Sequence, residues 1–361
     1  MPAELANDVL GLDEPLPDAD GVAGIITRIH SDAGIELAPD ILQRAIAAVS
    51  GIPSFPIEQT IAMSLTRNGL DVDQTWERKR RTIESTPGLS VYRGTENIAD
   101  CAGYENAMQF IARVGRGRKR PRAIVFLDEI EKSTAGQGSN ELDPVGADQL
   151  RTFLAEMQDM DATGAIAVGP PGSGKSLWAK IAGNALGIPT IVMDIGGMRG
   201  SLQGQSEQAI RNCFKVARAI AENQLLFIAT SNKVANLRPE LRRRFRLGTF
   251  FFDLPSPIEA LAIWALYLRK YELAEQPLPA HAGWTGAEIR QCCDNAWRYD
   301  MSLLDAAELI TPVCQSAADE IERLRREASG KYISANYPGK YQYQNVAAPA
   351  PGSVTRKLEF N

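Results

Sequence analysis

Ala165-Ile-Ala-Val-Gly-Pro-Pro-Gly-Ser-Gly-Lys-Ser176 fits the spacing G-x-x-x-x-G-K-[ST], with Gly169, Gly174, Lys175 and Ser176 in the defining places. Residues 165–168 are small or apolar, as a buried strand requires. Leu177, Ala179, Ile181, Ala182 and Leu186 then recur at helical spacing. Strand, glycine-rich loop and helix in that order make a phosphate cradle, because loop and helix N-terminal amides converge on one anion. The expected cradle runs through Gly169, Pro170, Pro171, Gly172, Ser173 and Gly174 and closes on Lys175, Ser176 and Leu177. In such a loop the lysine reaches the β- and γ-phosphates and the serine hydroxyl holds Mg²⁺. The stretch therefore predicts an α/β chain that binds ATP with Mg²⁺.

A second stretch supplies acids. Ala123-Ile-Val-Phe-Leu127 is a continuous apolar run ending in Asp128-Glu129. At the carboxyl end of a buried strand, Asp128 can hold Mg²⁺ and Glu129 can take a proton from an attacking water. The other buried strands expected are 188–195, Leu225-Leu-Phe-Ile-Ala-Thr230 and Gly248-Thr-Phe-Phe-Phe-Asp-Leu-Pro255. Helices are expected between them, with inner faces such as Leu150, Phe153, Leu154 and Met157, or Ile210, Phe214, Ala217 and Ile220.

Composition limits the alternatives. The 361 residues carry a formal charge of −5, with 44% hydrophobic and 23% charged residues, which describes an ordinary globular chain without a global basic field. Five cysteines show no CxxC spacing and only two histidines occur, so a zinc site is not expected and reduced thiols are. Met-Pro-Ala-Glu-Leu does not begin a signal peptide, and no apolar run approaches the length of a membrane span. The expected location is the cytoplasm, of a bacterium or a phage-infected host.

Punctuation divides the chain into a loosely ordered lead (1–34), a helical N-terminal domain (35–90), a large α/β domain (91–255), a helical lid (256–330) and a flexible tail (331–361). Helix starts are signalled by Pro39, by Asp71-Val-Asp-Gln74, by Ser256-Pro-Ile-Glu259 and by Thr285-Gly-Ala-Glu288. Residues 133–146 and 196–204 read as flexible loops. The basic runs Glu77–Arg81 and Arg116–Arg122 read as solvated surface, and the second is the place where nucleic acid could bind.

Taken together, these pieces resemble the AAA+ ATPases, most closely a subgroup encoded in algal plastids and cyanobacteria with relatives in tailed phages. The resemblance runs from about residue 36 to near the end. It implies that Asp100-Cys-Ala-Gly-Tyr-Glu-Asn-Ala107 packs on adenine through Ala102 and Gly103. It also implies that the lid meets the nucleotide at Gly286, Ala287 and Arg290. Arg290 is then either a sensor of the γ-phosphate or an exposed lid-helix arginine. Thr230-Ser-Asn232 is similar to sensor 1, with Asn232 orienting water or touching the γ-phosphate. Arg242-Arg-Arg244 lies where the family has an arginine finger, and Arg243 and Arg244 are favoured, with Arg246 as an alternative. A finger acting on a neighbour's nucleotide implies a homo-oligomeric ring, commonly a hexamer, that works on a protein partner. The family's pore residue maps to Leu202.

One feature departs from the family. Its acidic strand, the Walker B strand, follows the P-loop, whereas here Asp128 precedes Lys175. The expected sheet nevertheless keeps the sensor-1 strand between the P-loop strand and the acidic strand, because catalysis depends on where groups meet and not on chain order. Three functions are compatible: a ring-forming motor that remodels a protein, a slow nucleotide-dependent switch, and a DNA-acting motor.

Overall fold

The computed structural model describes residues 17–343 apart from 51–52, 68, 134–143, 199–204 and 234–238. Helices α1 (Ala19–Asp32), α2 (Pro39–Val49), α3 (Ser54–Ser64) and α4 (Val72–Glu84) come first, and β1 (Leu65–Thr66) pairs with β2 (Gly69–Leu70) ahead of α4. The expected start of α4 is present, since the Asp71 carboxylate accepts the Gln74 amide at 3.0 Å. Helix α1 corrects the expectation of a loosely ordered lead. Val22 and Ile26 are fully buried against Ala45, Val49, Ile57 and Ile61, and Asp18 caps the helix. The signal was the spacing of Val22, Ile25, Ile26 and Ile29, which interspersed Gly, Ala and Asp obscured.

Seven strands form the central sheet: β3 (Leu89–Val91), β4 (Ala123–Leu127), β5 (Thr163–Val168), β6 (Thr190–Met193), β7 (Leu225–Ser231), β8 (Thr249–Phe251) and β9 (Ile333–Ser334). Their spatial order is β3-β6-β4-β7-β5-β8-β9. The expected neighbours hold: β7 pairs in parallel with β4 on one side and with β5 on the other. The sheet is parallel except for β3, which pairs antiparallel with β6 at one edge. An edge strand needs a partner on one side only, so three residues with two inward apolar side chains suffice.

Between the strands run α5 (Glu105–Gly115), α6 (Pro144–Asp159), α7 (Lys175–Leu186), α8 (Gln205–Ala221) and α9 (Pro239–Arg244). Ile111 of α5 and Trp178 of α7 cover one face of the sheet through Ile124, Phe126 and Ala167. Phe153 of α6 and Phe214 of α8 cover the other through Val125, Val168 and Phe227, with Phe153 and Phe214 packed edge to face at 5.3 Å. The central strands are thus buried on both sides, which accounts for their continuous apolar runs. The connection from β4 to β5 passes through α6, giving the parallel pair the helical crossover it requires.

The C-terminal helices are α10 (Pro257–Lys270), α11 (Gly286–Tyr299), α12 (Leu303–Glu308), α13 (Val313–Ser316) and α14 (Ala318–Ala328). Both predicted capping boxes form, Ser256 with Glu259 and Thr285 with Glu288. Ile263, Trp264, Trp284 and Ile289 make their core, which also holds the free thiols Cys292 and Cys293.

The tail beyond 330 is a second correction. Tyr332, Ala335 and Tyr341 are buried, and β9 pairs in parallel with β8. The Ala335 amide donates to Phe251 at 3.0 Å while its carbonyl accepts from Ala107 at 2.9 Å. The loops expected at 133–146 and 196–204 are helical at their described ends, where Ser133 and Gly196–Met198 lie in short turns and Pro144 opens α6. Residues 134–143, the segment 199–204 that holds Leu202 and the tail from 344 lie outside the described residues. Among the described residues no helix is long and apolar enough to cross a membrane.

Candidate active site

Strand β5 ends one residue before the glycine-rich loop. A Cβ at Gly169 would lie 2.0 Å from the Phe252 carbonyl, so the first loop position tolerates only glycine. At the far end Gly174, at φ +85°, turns the chain into α7. Lys175 is 6% exposed, and its ammonium donates to the Gly169 carbonyl at 2.9 Å and the Pro170 carbonyl at 2.6 Å. Burial lowers its pKa to about 8, an effect opposed by the charges of Glu131, Asp128 and Glu129. The ammonium also reaches the Ser173 hydroxyl at 3.5 Å, and a buried ammonium held by such neutral oxygens is suited to exchange them for phosphate oxygens, which carry full charge.

Sheet register brings the acids to this loop. Leu127 lies opposite Ala229 and Val168 opposite Ser231, so Asp128, Thr230 and the start of the loop emerge at one edge. The Ser176 hydroxyl donates to Asp128 Oδ1 at 2.8 Å, and the Thr230 hydroxyl donates to the same oxygen at 2.6 Å. Thr230 Oγ1 also accepts the Glu129 amide at 2.9 Å. Glu129 sits at φ +47°, a left-handed turn unusual for a non-glycine residue and frequent at functional sites. The Asn232 carboxamide donates to Glu129 Oε1 at 3.0 Å, and the Asn232 backbone amide donates to Glu131 Oε1 at 2.8 Å.

These groups line a cavity of about 720 Å³. Of the expected site residues, Asp128, Glu129, Lys175, Ser176 and Asn232 all face it. So do Pro171, Gly172, Gly174 and Leu177 from the loop, Ala102 from the segment before α5, and Gly286, Ala287 and Arg290 from α11. Gly169, Pro170, Ser173 and Gly103 are not on its wall; they form the backing of the loop and of the 101–104 turn. Arg290 hydrogen-bonds Tyr271, which raises its pKa.

Sequence reading missed three contributors. Tyr104, named above only as part of the segment expected to pack on adenine, is buried at φ +64° ahead of α5, and its hydroxyl donates to the Ser173 carbonyl within the loop. Thr230 carries a hydroxyl that joins the Asp128 carboxylate to the Glu129 backbone amide. Glu131 is a third acid, two positions past Glu129 and 8% exposed. The only visible signal for Glu131 was a carboxylate two positions past Glu129, in the turn Ile130-Glu-Lys-Ser133.

The arginines lie elsewhere. Arg243 and Arg244 line a separate recess with Met157, Asp161 and Arg246. Arg244 hydrogen-bonds Gln158, and Arg246 pairs with Asp161. In the basic loop, Arg122 pairs with Glu222 and Arg120 donates to the Leu186 carbonyl at 3.0 Å, so two of its charges tie the loop to the fold.

Residues 165–228 match the family model of the ATPase family associated with various cellular activities (AAA). An uncharacterized AAA domain-containing protein, ycf46, of Guillardia theta is 21% identical over 393 residues, covering 92% of this chain and 71% of that protein. The protein of the same name from Pyropia yezoensis is 22% identical over 343 residues, covering 81% of this chain and 63% of its own length. The crystal structure of the FIGL-1 AAA domain is similar at 16% identity and a TM-score of 0.41, covering 70% of this chain and 95% of that one.

Proposed function

The chain carries an AAA ATPase domain, and from that premise we propose that it hydrolyses Mg²⁺-bound ATP in this cavity and uses the energy to remodel a protein partner as a ring of identical subunits. The observation that carries the reading is the meeting of Ser176, Asp128, Glu129 and Asn232 at the mouth of the glycine-rich loop.

The residues divide the work by chemistry. Backbone amides of 172–176 and the N-terminus of α7 bind the phosphates, and the Lys175 ammonium pairs with the β- and γ-oxygens. A hard divalent cation prefers oxygen donors, and the hydroxyl of Ser176 and carboxylate of Asp128, 2.8 Å apart, are such a pair. When bound, Mg²⁺ neutralises phosphate charge. Glu129 accepts the proton of the attacking water, and Asn232 orients that carboxylate. Ala102, Gly286 and Ala287 close the nucleoside end, with Arg290 on the lid side. Arg243 or Arg244 acts on the nucleotide of the neighbouring subunit. The acidic strand in this arrangement has moved ahead of the P-loop in chain order while keeping its place in the sheet. We also propose a division into a helical N-terminal domain that includes α1, an ATPase domain to about 255, and a helical lid.

Two variants test this reading. Lys175→Ala should abolish ATP binding measured by calorimetry. Glu129→Gln should bind ATP yet hydrolyse it slower by about 10² or more, the scale of a lost general base. A Glu129→Gln protein with wild-type turnover would remove Glu129 from the mechanism.

A further inference from the structure

The short turn Ile130–Ser133 follows the acid pair, and Ile130 is buried at 2% exposure, which pins the turn against the sheet. Glu131 projects from this pinned turn toward the end of β7. That strand stops at Ser231, so the sheet ladder does not extend to the backbone amide of Asn232. Glu131 Oε1 accepts that amide at 2.8 Å. Just beyond, the Ser231 hydroxyl accepts the Lys233 amide at 3.1 Å and donates to the Lys233 carbonyl at 2.9 Å, which closes the turn locally. Asn232 is thus held from both sides: its main chain by Glu131 and its carboxamide by Glu129 Oε1 at 3.0 Å.

We propose that Glu131 is a positioning residue for the hydrolysis inferred above: it fixes the Asn232 main chain and thereby the contact between the Asn232 carboxamide and Glu129. The inference rests on the ATPase reading and adds a residue that stands behind the cavity wall. Two features of the site favour it over a merely structural acid. A buried carboxylate is costly, and an apolar side chain would fill a core turn without that cost. One oxygen of the carboxylate accepts a main-chain amide of the loop that carries Asn232, where a charge-assisted hydrogen bond is about twice as strong as a neutral one. Without it, the Asn232 main chain loses one of its anchors, and small misplacements of the carboxamide are expensive in rate.

The test compares wild type, Glu131→Ala and Glu131→Gln in MgATP turnover, with MgADP affinity by calorimetry and folding by circular dichroism. Glutamine keeps an oxygen that can accept the Asn232 amide; alanine removes it. Glu131→Ala should lose about tenfold or more in kcat, while KM and the MgADP Kd stay within about twofold. Glu131→Gln should retain kcat within about threefold of wild type. Unchanged kcat in Glu131→Ala, or an equal loss in both variants, would overturn the assignment. If Glu131→Ala does not fold, Glu131→Asp, whose shorter arm withdraws the acceptor, takes its place under the same limits. Absence of turnover in the wild type would overturn the ATPase reading and this role with it. Wild-type turnover preserved in Glu131→Ala would overturn this role alone.

Discussion

Among the described residues two lysines are nearly excluded from water, and their surroundings divide their purposes. Lys175 faces loop carbonyls at the edge of a cavity, where an anion can replace them. Lys79, on α4, is 2% exposed and donates to the Ser50 carbonyl at 2.9 Å and the Ala47 carbonyl at 3.3 Å, with its ammonium 5.1 Å from the centre of the Trp76 ring. It lines neither the cavity of Lys175 nor the arginine recess, and its proton has consequences for stability. Burial lowers its pKa from 10.5 to about 7, against an opposing pull from Glu222. As pH rises, the folded chain loses this proton near 7 and the unfolded chain keeps it until about 10.5. Between those values the unfolded state binds more protons, so unfolding free energy climbs with pH. Below 7 the cost of the buried charge is fully present. Lys79→Met should therefore flatten the stability curve between about pH 7 and 10.5 relative to wild type, removing a slope of at most about 1.4 kcal/mol per pH unit. Urea unfolding at several pH values measures it. Parallel curves for the two proteins would mean that Lys79 titrates normally.

At the scale of elements, legibility followed burial. Strands β4, β5 and β7 are covered on both faces, so each is a run of apolar residues that sequence alone marks out, together with the polar groups at their carboxyl ends. From those ends came Asp128, Glu129, Lys175, Ser176 and Asn232, all of which meet in the structure. The edge strands β3 and β9 have three and two residues, too few for any periodicity to register. Tyr104 and Glu131 were hidden for a different reason: their roles depend on single hydrogen bonds to segments distant in sequence, Ser173 and Asn232. The tail misled because tyrosine and glycine at 332–341 resemble a loose segment, although Tyr332 and Tyr341 are buried. Tyr341 packs on Phe251 with ring centroids 4.4 Å apart, and its hydroxyl donates to Asp253 at 2.6 Å, a carboxylate that also accepts from Arg325 at 2.7 Å. That one side chain joins β8, α14 and the tail. Tyr341→Ala should cost about 3–5 kcal/mol, the range for deleting a buried aromatic ring, while Tyr341→Phe should cost about 1–3 kcal/mol through the hydrogen bond left unmade at Asp253. Denaturant midpoints resolve both. A Tyr341→Ala protein as stable as wild type would show that the tail does not contribute to the fold.

At the scale of the whole molecule, the decisive fact is a separation. The groups proposed to hold phosphate and activate water lie in one cavity, whereas Arg243 and Arg244 line a recess of their own with Met157 and Asp161. Within one chain these arginines do not reach the nucleotide cavity, so a charge-stabilising role requires that they enter a second chain's site. Closed rings built from head-to-tail contacts bring two such different surfaces together at every interface. An arginine supplied in this way is well suited to the charge that builds on a transferring phosphoryl group. Complementation between two inactive proteins tests the geometry directly. Arg243→Ala subunits keep an intact cavity, and Lys175→Ala subunits keep an intact arginine recess. If the arginine acts in trans, mixing equal amounts under conditions of subunit exchange should recover roughly a quarter of wild-type turnover. That is the fraction of interfaces in a randomly mixed ring where an intact cavity faces an intact arginine. Arg244→Ala in place of Arg243→Ala decides which residue acts. A mixture no more active than its components, with ring formation verified by light scattering, would confine both arginines to their own subunit and leave hydrolysis to the cavity alone.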